Sequence, residues 1–164
     1  MMRMLAGAAL AVLLPLHTVT AQEMTVEQIR EVIEATDAAA RARDTQGIGR
    51  HLSKDFEKQI EVPDGQWLAT AKIDKEKYLA LIDRGWKSLD KYSYWREDTV
   101  IHIAADGLTG ESASTITETS VIDGEKSVSK VREYARYAFE NGRPVITHIQ
   151  GHTLVGDTTR ASGQ

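Results

Sequence analysis

The sequence predicts an α+β domain in which three N-terminal helices pack on a strongly curved antiparallel sheet, in the order α-α-β-α-β-β-β-β. Two observations carry that expectation. Apolar residues recur at helical spacing in much of the first half of the chain, and from Lys91 onward long β-branched and aromatic runs replace them. Those runs are punctuated by Asp106-Gly107, Asp123-Gly124 and Asn141-Gly142. Such pairs favour tight hairpin turns, because Gly adopts φ > 0 freely and Asn or Asp tolerates it.

Residues 1–21 are set apart from the fold. Arg3 lies in a short basic start, an apolar run extends from Met4 to Leu16, and Val19-Thr20-Ala21 precedes Gln22. This is the pattern of a secretory signal peptide cleaved after Ala21. A membrane anchor would need about 20 apolar residues, and this run is shorter and broken by Pro15. The expectation is a periplasmic or secreted protein with a domain over 22–155, a disordered polar tail over 156–164 and no membrane span after cleavage.

Composition removes several function classes. The formal charge of −4 becomes −5 once Arg3 is lost, with both signs interspersed, so there is no basic footprint for nucleic acid. With no cysteine, a disulfide framework, a thiolate zinc site and a thiol nucleophile are all excluded. The fold must rest on burial alone.

Thr25 to Arg43 places Val26, Ile29, Val32, Ile33, Thr36 and Ala40 on one face, with Glu27, Arg30, Glu31 and Glu34 between them, which predicts an amphipathic helix. Asp44 or Thr45 can cap a second short helix, with Ile48 and Leu52 on its apolar face. A short strand is expected from Phe56 to Val62, ended by the turn chemistry of Pro63-Asp64-Gly65. The third helix, Lys75 to Leu89, takes Asp74 as N-cap and buries Tyr78, Leu81, Ile82 and Trp86, the bland core reading for both aromatics. Four strands follow, Tyr92 to Ala104, Leu108 to Ile122, Glu125 to Glu140 and Arg143 to Val155, long enough to require curvature or bulges.

This order, the first helix from Val26 to Arg43, the stretch Leu52 to Phe56 with acidic Asp55, and the run Tyr134-Ala-Arg-Tyr-Ala-Phe-Glu-Asn-Gly-Arg143 together resemble the nuclear transport factor 2-like superfamily, the last piece its SnoaL-like subgroup. Pro144 departs from that pattern, since many relatives carry Trp there. The resemblance implies a cone-shaped domain with a pocket at its wide end and frequent dimers through the outer sheet face. It does not imply one activity, because the superfamily includes isomerases, dehydratases, cyclases and non-catalytic domains.

Turn register assigns faces. A two-residue turn at Asn141-Gly142 pairs Tyr137 with Ile146, Ala135 with His148 and Glu133 with Gln150. Carried through the other turns, one face collects Phe139, Tyr137, Ile146, His148, Ile122, Glu118, Ile116, Trp95, Ile101 and Ile103, and being the apolar one it is expected inside the cone. The opposite face is expected to hold Tyr92, Tyr94, Arg96, Tyr134, Arg136, Val145 and Ile149, a mixture suited to a homodimer contact or to plain solvation.

The interior polar groups on this register are Glu97, Glu118, Glu133, His148 and Gln150, few among many apolar neighbours, as in ligand pockets. Glu133 and His148 fall on a diagonal about 7 to 8 Å apart at the backbone. They can form either an acid/base pair or a structural pair. Other constellations are weaker. His148 and His152 lie about 13 Å apart along a strand, which disfavours a shared metal. Glu118 and Glu133 are too far apart for glycoside hydrolysis, and neither a nucleophile elbow nor a phosphate loop is present.

The sequence therefore points to an exported domain binding a small apolar or amphipathic molecule among Trp95, Glu118, Glu133, Tyr137 and His148, with no cofactor or metal called for. The alternative is a proton-transfer enzyme, an isomerase, cyclase or dehydratase, with His148 or Glu133 as base. A single bulge in any long strand would exchange the two faces beyond it.

Overall fold

The computed structural model describes residues 23–64 and 67–160. The expected signal peptide lies outside them, as do the last four residues of the expected tail. Helix α1 (Val26–Ala42) opens with a capping box, in which Thr25 and Gln28 exchange side-chain to backbone hydrogen bonds. It buries Ile29, Val32, Ile33, Thr36, Asp37, Ala39 and Ala40. Helix α2 (Thr45–Gly49) is capped by the Asp44 carboxylate, which accepts from the Gly47 amide, and α3 (Lys75–Lys87) is capped in the same way by Asp74.

Between α2 and α3 the chain makes two strands, not one. β1 (Leu52–Asp64) begins four residues before the expected start, taking Leu52 out of the second helix, and runs on through Pro63. It pairs antiparallel with β2 (Trp67–Asp74), a strand the sequence reading omitted. The four later strands are β3 (Lys91–Ile103), β4 (Thr109–Ile122), β5 (Glu125–Glu140) and β6 (Arg143–Arg160). β6 extends to pair Arg160 with Glu125, so residues 156–160 are strand where a disordered tail was expected. The sheet order is β2-β1-β6-β5-β4-β3, antiparallel except where β1 and β6 run parallel.

Two of the three turns are tight, with both Asp123-Gly124 and Asn141-Gly142 at positive φ and flanked by the pairs Ile122 with Glu125 and Glu140 with Arg143. At Asp106-Gly107 the loop is wider, closed by the Ala104 amide donating to Thr109, but the register beyond it is the expected one. β4 and β5 pair without interruption from Thr109 with Ala138 to Ile122 with Glu125.

The neighbouring ladders are not uninterrupted. In β3, Asp98 at φ 52 and Thr99 together oppose the single residue Ser114, one extra residue between Glu97, which faces Thr115, and Val100, which faces Ala113. In β6, Thr147 is the extra residue between Ile146, which faces Tyr137, and His148, which faces Arg136. Each bulge turns the strand over relative to the uninterrupted reading.

The core lies between α1 and the concave sheet face, where Ile29, Val32, Ile33 and Ala40 meet Phe56, Ala135, Tyr137, Ile146 and Ile149. Gly110 lies directly beneath the buried Ile29 side chain of α1. A Cβ at that position would stand 2.4 Å from the Ile29 Cδ1 atom. α3 is a looser cover. None of its residues is fully buried, yet Tyr78, Leu79, Ile82 and Trp86 pack against the core.

Candidate functional site

The space left between α3, α1 and the sheet is a cavity of about 230 Å³. Its apolar wall includes Ala40, Leu52, Ile82, Trp86, Ile116 and Ile146, and its polar groups are Lys58, Tyr78, Tyr92, Tyr94, Arg96, Glu118, Glu133 and Tyr137. The uninterrupted β4 and β5 pairing brings Glu118, Glu133 and Tyr137 inside, as the turn register requires.

Two predicted site residues are elsewhere. The Asp98 bulge reverses the first half of β3, so Trp95 stands 64% exposed on the outer face while Tyr92, Tyr94 and Arg96 turn inward. The Thr147 bulge sends His148 outward to face Arg136, and its Nδ1 lies 3.5 Å from a Glu57 oxygen. Ile149, expected outside, is buried in the core for the same reason. Of the other expected interior groups, Glu97 accepts from Lys130 and Gln150 contacts His152, so neither meets the cavity. On the outer face, Tyr134 stays as expected, whereas Val145 is buried.

The inward turn of Arg96 builds a charged cluster at the α1 end of the cavity. The guanidinium donates to both Asp37 oxygens at 2.9 and 3.1 Å, to the Tyr94 hydroxyl at 2.8 Å and to Glu133 at 3.2 Å. Lys58 lies 3.7 Å from the other Glu133 oxygen and 5.8 Å from the centre of the Tyr78 ring. Burial works against the Arg96 charge, but Glu133, Tyr94 and Asp37 outweigh it and hold the guanidinium above its ordinary pKa. These are buried charges compensated by partners, the arrangement that makes burial tolerable.

The tyrosines are held in their neutral, protonated form. Burial first, and the Glu133 charge next, raise the hydroxyl pKa of Tyr78 and of Tyr94; burial raises that of Tyr137 to about 12. At the α3 end, Tyr92 donates to Glu118, and its pKa is raised by burial and then by the Glu118 charge. Trp86 packs against the Tyr92 ring with centroids 6.0 Å apart.

Asp37, Lys58, Tyr92, Tyr94 and Arg96 were not anticipated as site residues. Asp37 carried a readable signal: it lies four residues from Ile33 and three from Ala40, a carboxylate on the buried face of an amphipathic helix. Arg96-Glu97-Asp98-Thr99 carried another, four polar residues that interrupt the alternation of β3.

No family model matches the chain, and no curated protein does. Solved structures are similar to it. Hexachlorocyclohexane dehydrochlorinase LinA-type3 from Novosphingobium barchaimii shares 11% identity at a TM-score of 0.66, covering 84% of this chain and 90% of its own. The Kfla4162 protein from Kribbella flavida shares 7% at 0.67, covering 80% and 91%. An NTF2-like protein of unknown function from Pseudomonas putida shares 17% at 0.61, covering 76% and 83%. At these identities the likeness carries the fold. The chain has the nuclear transport factor 2-like fold.

Proposed function

We propose that the chain is a binding domain whose interior cavity takes a small apolar or amphipathic molecule. The observation that carries this reading is the separation of the two groups that catalysis would have combined. His148 is outside the cavity, and Glu133 is committed to Arg96 and Lys58 within it. What faces the space is then an apolar wall with a few oriented donors and acceptors, the composition of a ligand pocket. The fold shared with a dehydrochlorinase supports the alternative of proton-transfer chemistry, but the Glu133 and His148 pair cannot be its machinery.

The test fills the cavity. Phenylpropyl alcohol, a neutral probe of suitable size, is expected to bind the wild type saturably at one site by calorimetry. Ala40→Leu, which adds bulk to the cavity wall, should weaken that binding about tenfold or more while preserving the cooperative melt, since overpacking costs about 1–3 kcal/mol. Unchanged binding in the variant would place the probe elsewhere and remove the reading.

Two further expectations belong to the same proposal. Export is checked by N-terminal sequencing of the mature protein, which should begin at Gln22. Dimerisation through the outer sheet face is supported by the exposure there of Trp95 and of Tyr134. A concentration-independent monomer in sedimentation would remove it.

A further inference from the structure

We propose that the cavity selects ligands carrying a cationic group, an amine or ammonium, bound against Glu118 and the rings of Trp86 and Tyr92. The inference rests on the binding reading above and names the ligand class that site would take.

The charges within the cavity are unequal at its two ends. At the α1 end, Arg96 and Lys58 are held by Asp37 and Glu133. An incoming anion would have to displace those carboxylates. At the α3 end stands Glu118, which accepts from the neutral Tyr92 hydroxyl and has no ion pair among the described residues. A half-buried carboxylate with one donor retains acceptor capacity, and its charge remains without a counter-ion. The group that satisfies both is a ligand cation able to donate hydrogen bonds.

The surroundings suit that group. Trp86 and Tyr92 line the cavity together with Glu118, and aromatic rings attract a cation within about 6 Å of a ring centre. Ile82, Trp86, Tyr92 and Glu118 also line a second, more open depression that continues toward Leu81 and Ile122. Glu118 thus lies where the interior cavity meets the surface. A ligand can bury an apolar body against Ile116 and Ile146 and leave its cationic end at this position. One cation of the chain on this side, Arg43, sits 5.8 Å from the Tyr92 ring centre, where its guanidinium donates to the Leu89 carbonyl at 3.0 Å and the Trp86 carbonyl at 3.4 Å.

The test uses three probes with one skeleton and different heads: phenylpropylamine, phenylpropyl alcohol and phenylpropionate, each titrated calorimetrically at neutral pH into wild type and Glu118→Gln. The ammonium is expected to bind the wild type about tenfold tighter than the alcohol, the worth of one charge-assisted hydrogen bond. In Glu118→Gln that preference should fall to within about twofold, chiefly through weaker ammonium binding, since Gln preserves an acceptor for Tyr92 but not the charge. Equal binding of ammonium and alcohol by the wild type overturns the inference and leaves the pocket reading standing. Preference for the carboxylate also overturns it, and directs attention to Lys58 and Arg96. If none of the three binds, the pocket reading falls and the inference with it.

Discussion

The two ends of the cavity use similar residue types to opposite effect. Under α1, the Arg96 guanidinium reaches four acceptor atoms on Asp37, Tyr94 and Glu133, and the side chains of Arg96 and Asp37 are each 11% exposed. Under α3, the Glu118 carboxylate has a single hydroxyl donor and an aromatic neighbour. Buried charges with every partner supplied belong to the architecture, because removing one strands the others. A charge left partly satisfied at a cavity rim is available to a ligand. The comparison teaches that acidic side chains on adjacent strands of one sheet can serve as a structural clamp or a recognition group, according to what the packed helix brings to them.

The strongest way to break the comparison is Arg96→Leu. It leaves Asp37 and Glu133 buried without their shared cation and should cost about 3–5 kcal/mol of stability, read from the urea midpoint. A loss under about 1 kcal/mol would mean that the clamp is solvated and the two ends are alike. The corresponding change under α3, Tyr92→Phe, removes one donor from a carboxylate that water can reach, and about 1 kcal/mol is expected by the same measurement. A cost equal to that of Arg96→Leu would erase the distinction.

Alkaline titration sharpens it further. Tyr78, Tyr92, Tyr94 and Tyr137 all have folded pKa values above the ordinary tyrosine value of about 10. Their contribution is complete below that pH and is lost as pH rises through the folded values, about 12 for Tyr137, because the unfolded chain releases its protons first. Four of the five tyrosines should therefore ionise together with unfolding in an ultraviolet phenolate titration. Gradual ionisation before unfolding would show that the cavity admits water at both ends.

The smallest effect concerns the outer face. Burial, and secondarily Arg136, lowers the His148 pKa despite Glu57. The unfolded chain then binds the proton first, so stability should decline as pH falls below about 6.5. His148→Gln should flatten that slope slightly, and an unchanged slope would assign it to His51, whose pKa is lowered by burial and by Arg143 and Arg50.

Much of the fold was legible because the signals are local. The apolar spacing of Val26 to Ala40, the Asp44 and Asp74 caps, and the Asp123-Gly124 and Asn141-Gly142 turns depend on residues close in sequence, and each element formed with boundaries near those expected. The same turns placed Glu118, Glu133 and Tyr137 inside, since β4 and β5 are paired without a break. β2 was less legible, because Trp67 to Asp74 acquires strand geometry by pairing with β1.

By itself, then, the sequence determined an α+β chain with a helix-covered sheet, and one strand pair with an apolar inner face. Only the tertiary structure decided which side of β3 and β6 meets the cavity. A bulge costs one extra residue and forms where packing rewards it. At Asp98 it turns Arg96 toward the Asp37 carboxylate of α1, and at Thr147 it turns Ile149 into the core and His148 out of it. Those rewards come from residues distant in the chain, so the faces, and with them half of the candidate site, were set by tertiary contacts, of which the sequence carries only the buried-face Asp37 and the broken alternation at Arg96 to Thr99.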